Sequence, residues 1–166
     1  MCDTSLSAGI LYICNDKDGA PYILLALDKK REEWGPLYGR PDDDDIDLEW
    51  TAVRESDEES LGVLVDRHIL YKVLKNPQYR LRVQNSGLFV VSFGTISNDE
   101  RQLFVKQFEK ELDFRREQST LTKSESEVTR IMWVDIHKLI TNMRKGKSLK
   151  GIKLRSHFER NLTLLM

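Results

Sequence analysis

The chain has little of what several protein classes require. Its 166 residues include only 2 cysteines, too few for a disulfide framework, and their spacing matches no zinc site. No apolar run approaches the roughly 18 residues typical of a membrane-spanning helix. The first residues lack the basic segment of a secretory signal. We therefore expect free thiols, no membrane partner and a cytoplasmic location.

Net charge is also small, at −1, but the charges are unevenly placed. Residues 42–59 hold ten acids and one base, whereas residues 144–160 hold seven bases and one glutamate. An acidic metal site with a basic segment elsewhere suits a phosphate-rich substrate. Each run is equally typical of a solvated surface. A chain of this length is expected to form one domain, 1–166, with a core at about 7–140 and a basic helical tail at about 144–166.

Apolar patterning predicts alternating strands and helices. Residues 7–15 and 22–27 flank a polar, glycine-bearing turn and predict a hairpin. Further strands are expected at 63–65, 68–74, 79–83, 87–96 and 128–134, with 87–96 as a central strand. Helices are expected at about 47–60, 99–117, 136–144 and 154–165. Candidate helix caps are Asp44, Asp45 or Asp47 for the first helix, Asn98 or Asp99 for the second and Asp135 for the third.

The most informative stretch is 39–63, GRPDDDDIDLEWTAVRESDEESLGV. In the predicted helix 47–60, Glu55, Glu58 and Glu59 share one face, because an α-helix has about 3.6 residues per turn. Three neighbouring carboxylates repel one another, so we expect a counter-ion, and a hard divalent cation with oxygen ligands fits best. The adjacent Arg54 can orient one of these carboxylates through bidentate hydrogen bonds.

This stretch resembles a Nudix box, whose pattern is a glycine, five residues, an acid, seven residues and then R-E-hydrophobic-x-E-E-x-G-hydrophobic. The residues that match in type are Gly39, Asp45, Arg54, Glu55, Glu58 and Glu59. Two further segments are also similar to that family. One contains Trp34 and Pro36, just before the box, and the other contains Trp133, near the end of the chain.

The stretch departs from the Nudix pattern in three ways. The gap from Asp45 to Arg54 is one residue longer than the pattern. Ser56 stands in place of an apolar residue. Leu61 stands at the glycine position, and Gly62 follows one place late.

The resemblance implies an α/β fold, in which helices flank a mixed β-sheet as an α/β/α sandwich. It also implies a metal-dependent hydrolase that cleaves the phosphoanhydride of a nucleoside diphosphate linked to another moiety. That substrate is a nucleotide sugar, ADP-ribose, a dinucleoside polyphosphate or capped RNA. The alternative is a catalytically weak or inactive Nudix-like module that binds a nucleotide or a protein.

The same resemblance implies roles for individual residues. Glu55, Glu58 and Glu59 would bind Mg²⁺ or Mn²⁺, and Arg54 would orient them. The general base would be Glu125 or Glu127, in the loop before the last strand, or one of the box glutamates. The residues expected to contact substrate are Tyr38, Gly39 and Arg40, and the rings able to stack on a base are Tyr12, Trp34, Tyr38 and Tyr79. RNA is a further candidate partner, through the basic tail, and a homodimer is common among such proteins.

Overall fold

The structure is a computed structural model that describes residues 6–76, 78, 81–82, 87–147, 149 and 151–162. Seven strands lie in this part of the chain: β1 (Ala8–Asn15), β2 (Pro21–Asp28), β3 (Trp34–Gly35), β4 (Leu37–Gly39), β5 (Leu81–Arg82), β6 (Leu88–Thr95) and β7 (Val128–Asp135). It also contains five α-helices: α1 (Leu48–Glu59), α2 (Arg67–Lys75), α3 (Asn98–Glu117), α4 (Ile136–Arg144) and α5 (Ser156–Leu162).

The strands form one mixed sheet. β1 runs antiparallel to β2 and β4 but parallel to β6, and β7 runs antiparallel to β2. The hairpin of β1 and β2 confirms the turn predicted between them. β6 lies between β1 and β5, as expected of a central strand, although only its first half is buried.

Helices cover both faces of the sheet, which confirms the predicted α/β/α arrangement. On the first face, apolar side chains of α1, α2 and α3 pack against the sheet, among them Ala52, Val53, Leu70, Leu74, Phe108 and Leu112. On the second face, α4 and α5 contribute Leu139, Ile140, Phe158 and Leu162 to a separate core. No helix in the described part of the chain has both the length and the apolar character needed to cross a membrane.

Capping side chains mark the start of the helices α1, α3 and α4. Asp47 begins α1 by accepting a hydrogen bond from the Trp50 amide at 2.7 Å, so neither Asp44 nor Asp45 is the cap. Asp135 begins α4 as predicted, since its carboxylate accepts from the Lys138 amide at 3.0 Å. The start of α3 was predicted wrongly, because the cap there is Ser97, which forms a capping box with Glu100.

The segment 68–74 was predicted as a strand and is instead most of α2. Asp66 accepts hydrogen bonds from the amides of His68 and Ile69, which starts a helix. Leu70 and Leu74, four residues apart, then reach the core from one helix face. Residues 63–65, also predicted as a strand, form an irregular link between α1 and α2. Of the predicted strand 79–83, β5 is the part that lies within the described residues.

The C-terminal segment, defined here as residues 149 and 151–162, packs on the second face of the sheet. Ile152, Phe158 and Leu162 are buried in its core. The backbone pairs with β3, because the Trp34 amide donates to Lys153 O at 2.7 Å and the Arg155 amide donates to Trp34 O at 2.9 Å. These contacts place Lys153 and Arg155 beside Trp34, a short distance along the chain before the 39–63 stretch.

Candidate active site

Arg54, in the middle of α1, lies at the centre of a charged network that extends to the loop before the helix. Its Nε and Nη2 donate to the Asp45 carboxylate at 3.0 and 2.9 Å. Its Nη1 donates to Glu55 at 3.0 Å and to Glu58 at 3.3 Å. Nη2 also donates to the carbonyl of Arg40 at 2.8 Å. One guanidinium therefore joins the loop before α1 to two carboxylates of the helix.

Asp45 reaches Arg54 despite the extra residue between them. Its Oδ2 accepts from Thr51 Oγ1 and from the amide of Asp42, each at 2.9 Å. Burial opposes ionisation of Asp45, but the hydrogen bonds from Arg54, Asp42 and Thr51 outweigh it and lower the pKa of this carboxyl. Asp45 is therefore the charged anchor of Arg54.

Glu55 occupies the space that a side chain at position 39 would need. A Cβ atom on Gly39 would lie 2.1 Å from Cδ of Glu55, so only glycine fits in this arrangement. Burial raises the pKa of Glu55 to about 7, although the charge and hydrogen bond of Arg54 act in the opposite direction. Because α1 approaches β4 closely at Gly39, the Glu55 carboxyl lies against the backbone at the end of that strand.

Glu59 is the most enclosed of the three box glutamates, at 3% exposed. Its Oε2 accepts a hydrogen bond from the Tyr38 amide at 2.7 Å. Burial raises the pKa of Glu59 to about 8, opposed by attraction from Arg155 and by the Tyr38 hydrogen bond and reinforced by repulsion from Glu55 and Glu127. This side chain therefore faces a site where negative charge is concentrated.

The two candidate bases, Glu125 and Glu127, both lie just before β7 but differ in their surroundings. Glu125 accepts from Arg115 Nη1 at 2.6 Å and from the Thr122 amide at 2.9 Å, so both of its carboxylate oxygens have partners outside the box glutamates. The charge of Glu127, in contrast, raises the pKa of both Glu55 and Glu59. Of the two candidates, Glu127 is therefore the one whose charge affects both Glu55 and Glu59.

The oxygen donors of Glu55, Glu58 and Glu59 suit Mg²⁺ or Mn²⁺ in chemistry. Burial raises the pKa of both Glu55 and Glu59, and a bound cation would favour their ionised forms. In the described part of the chain, however, no three acidic, histidine or cysteine side chains are grouped so that they could hold a metal ion. Glu55 and Glu58 are directed to Arg54, and Glu59 is directed to the Tyr38 amide.

Two departures from the box pattern have local explanations in the fold. Ser56 is buried, and its hydroxyl lies 2.7 Å from that of Tyr12 on β1, so the polar group is satisfied where an apolar residue is usual. Leu61 and Gly62 both have positive φ, at 57° and 72°, and together they end α1. The left-handed turn is therefore shared by two residues, one of which is a buried leucine.

The expected substrate contacts are placed unequally. Tyr12 is fully buried and Trp34 is 5% exposed, so neither ring is available to stack on a base, and those two predictions are wrong. Tyr38 is half-buried at the site and donates through its hydroxyl to Ser7 O at 3.0 Å. Arg40 is exposed beside it. The remaining candidate, Tyr79, lies outside the described residues.

The sequence did not predict a role for Arg155, a charged residue of the C-terminal segment. The charge of Arg155 lowers the pKa of Glu59 against the effect of burial, although Arg155 lies in the C-terminal segment, far from the box in the chain. The only signal was its membership in the basic run 144–160, where nothing distinguished it from its neighbours. Its partner, Asp28 at the end of β2, carried no signal at all.

Comparison with known proteins gives similarity in structure only. No family model matches the chain, and no curated protein matches it in sequence. An Ap4A hydrolase from C. elegans, in a binary complex, has a TM-score of 0.46 at 12% identity, with 96% of this chain and 94% of that one covered. RenU, a Nudix hydrolase from M. smegmatis, has a TM-score of 0.46 at 12% identity, with 99% and 84% covered. A NUDIX-family hydrolase from Clostridium perfringens has a TM-score of 0.42 at 15% identity, with 99% of both chains covered. These similarities assign neither an activity nor a substrate.

Proposed function

We propose that this protein is a Nudix-type pyrophosphohydrolase that cleaves the phosphoanhydride of a nucleoside diphosphate linked to another moiety. The observation that carries the proposal is the arrangement of β4, the loop after it and α1, which together contain the box. Glu55 and Glu59 are buried against the backbone of Gly39 and Tyr38, and Arg54 ties α1 to the loop. A concentration of buried carboxyl groups at one loop is expensive in folding free energy, and such groups cluster at functional sites.

Each box residue has a distinct part in this proposal. Glu55, Glu58 and Glu59 would hold Mg²⁺ or Mn²⁺, which when bound neutralises phosphate charge and lowers the pKa of a coordinated water. Arg54 orients Glu55 and Glu58 through its Nη1. Tyr38, on β4, has a half-buried ring that would contact the nucleoside.

Glu127 is the best candidate for the general base. It follows the 3₁₀ turn Ser124–Ser126, which contacts α1, and its charge acts on both Glu55 and Glu59. A carboxylate so placed can take a proton from a water that attacks the substrate phosphorus. Glu125 would instead hold the loop, through its ion pair with Arg115 at 2.6 Å.

The second candidate function is a nucleotide-binding or protein-binding module with weak or no catalysis. The observation that favours it is the engagement of Glu55 and Glu58 by Arg54, together with the lack of a grouped metal-ligand set in the described chain. In such a module the guanidinium itself would be the permanent counter-ion of the acidic helix.

The test is a panel of substrates with Mg²⁺ or Mn²⁺, including a nucleotide sugar, ADP-ribose, dinucleoside polyphosphates and capped RNA. We expect turnover of at least one class, and a loss on the order of a thousand-fold or more in Glu58→Gln and Glu59→Gln, because members of a catalytic unit act together. Glu125→Gln is the matched control, with the same chemical change in a carboxylate that pairs with Arg115.

Near wild-type rates in Glu58→Gln and Glu59→Gln would contradict the proposed metal ligands. Absence of turnover on the whole panel, with calorimetry showing tight binding of one member, would favour the binding module. Thermal melting of each variant separates loss of function from loss of fold, because an isosteric Glu→Gln change preserves side-chain volume.

A further inference from the structure

A cleft of about 530 Å³ lies between β7, α4 and the C-terminal segment. We call it the β7 cleft, and its lining includes Trp34, Arg130, Met132, Lys138, Leu149 and Ile152. The apolar members of this set pack with the core of the second face of the sheet, whereas α1, which carries the box glutamates, packs on the first face. The sheet therefore separates the β7 cleft from the box helix.

The β7 cleft is large enough for a small organic molecule, since ligand pockets usually measure roughly 300–1,000 Å³. A second cleft of about 360 Å³ adjoins it along α4 and shares Lys138 and Leu149 with it. This second cleft adds the polar side chains of His137, Thr141 and Asn142. An apolar floor is thus bordered by cations and by hydrogen-bonding groups.

The charge of the β7 cleft is positive. Among the described residues that line it, Asp135 is the single acid, beside Arg130 and Lys138. The Asp135 carboxylate already accepts from the Lys138 amide at 3.0 Å, and its Oδ2 lies 3.9 Å from Lys138 Nζ. It offsets at most one of the two cations, so the cleft suits an anion by charge complementarity.

Arg130 is the cation best prepared to bind an anion. Its guanidinium carbon lies 5.8 Å from the centroid of the Trp34 ring, a contact that helps to orient the planar group. Within the described part of the chain, no carboxylate forms an ion pair with it. Its fork of N–H donors is therefore available for a phosphate, which arginine binds in a bidentate manner.

The apolar walls favour a small molecule over a nucleic-acid strand. Single-stranded nucleic acids are bound by aromatic rings on which successive bases stack. The Trp34 ring is 5% exposed and offers no such platform. Met132, Leu149 and Ile152 can instead pack against the body of one organic molecule.

We propose that the β7 cleft is an accessory binding site for a small organic phosphate, with Arg130 and Lys138 on the phosphate and the apolar walls on the organic body. The site is independent of the proposed hydrolase chemistry, because it uses none of the box residues. The simpler alternative is that both cations are solvated surface groups. Such groups would attract any anion weakly and without a preference for an organic body.

The first experiment is a ¹H–¹⁵N NMR titration with AMP, adenosine and inorganic phosphate, in EDTA so that no divalent metal is present. The amides of Met132, Lys138 and Ile152 report on the β7 cleft, and those of Tyr38 and Glu59 report on the box. We expect AMP to shift the cleft amides saturably. Adenosine lacks the phosphate and inorganic phosphate lacks the body, so each should bind at least about 10-fold more weakly.

The second experiment repeats the AMP titration with variants. Arg130→Gln and Lys138→Gln should each raise the Kd about 10-fold, because each removes a charge-assisted hydrogen bond to the phosphate. Lys72→Gln, at an exposed lysine of α2 on the first face, is the matched control and should leave the Kd unchanged. Leu149→Trp fills the cleft while keeping both cations, and it should abolish AMP binding.

Thermal melting checks that Leu149→Trp folds, and the variants of the exposed Arg130 and Lys138 decide the matter if it does not. Equal affinities for AMP and inorganic phosphate, an unchanged Kd in both cation variants, or shifts confined to the box amides would each overturn the proposal. Cleft shifts that are lost in Arg130→Gln and Lys138→Gln support it whether or not the protein turns over any substrate.

Discussion

Two partly buried arginines lower the pKa of glutamates in the acidic helix α1, and they are held in opposite ways. Arg54 finds its partners in the box itself, none more than 14 residues away along the chain. Arg155 is held by Asp28, 127 residues earlier, and by the backbone of β3. A network of the first kind can be recognised as a sequence motif, whereas one of the second kind exists only after the sheet has formed.

The two arginines also differ in how much negative charge each one faces. Arg54 contacts Asp45, Glu55 and Glu58 directly, so its removal leaves several carboxylates without a counter-charge. Arg155 contacts Asp28 and attracts Glu59. The box region should therefore be the more sensitive of the two to charge removal.

The largest expected effect comes from Arg54→Met. This change should lower the free energy of unfolding by about 3–5 kcal/mol, because it leaves largely buried carboxylates unpaired. Turnover of any substrate should fall as well, since Glu55 and Glu58 lose the group that orients them. Urea denaturation and kinetics measure the two effects.

Arg115→Met is the matched control for Arg54→Met. Arg115 also contacts two glutamates, Glu111 and Glu125, but its side chain is more exposed, at 25% against 13%. We expect a loss in the free energy of unfolding of at most about 1 kcal/mol there. Equal losses in the two variants would show that the network around Arg54 contributes no more to the free energy of unfolding than the more exposed ion pairs of Arg115.

The next largest effect compares two glycines, one in each region. Gly39→Ala places a Cβ 2.1 Å from the carboxyl carbon of Glu55, and we expect a loss of about 1–3 kcal/mol in the free energy of unfolding. Gly35→Ala places a Cβ 2.8 Å from Cδ of Arg155, a less severe overlap, so its cost should be smaller.

A double-mutant cycle tests the Gly39 contact. In a Glu55→Ala background the clash is removed, so Gly39→Ala should cost clearly less than in wild type. The same cost in both backgrounds would mean that Gly39 is required for a reason other than the space taken by Glu55.

The smallest effect is expected from the exposed bases of the tail, Arg144, Lys145 and Lys147. If RNA is a partner, changing all three to Gln should weaken binding of capped RNA and reduce the salt slope of log K by about two, at roughly 0.7 per cation on a single strand. Turnover of small nucleotide substrates should not change. Unaltered RNA affinity would show that this run is a solvated surface.

The helix that carries the box was predictable because its signals are local. Asp47 caps it, Ala52 and Val53 bury one side, and the glutamates fall where the helical period places them. The segment 68–74 was misjudged because apolar and β-branched residues over so short a run suit a strand as well as a helix. The decision there was made by the Asp66 cap and by the core that Leu70 and Leu74 enter.

Local patterns predict the acidic helix, its arginine and the alternation of strands and helices, because these depend on spacing over a few residues. The tertiary fold set the other features. It directed the Glu125 carboxylate to Arg115, paired Arg155 with Asp28 and buried Tyr12 and Trp34. Each of these choices depends on which strands pair and which face a side chain enters, and pairing between distant segments leaves no local pattern in the chain.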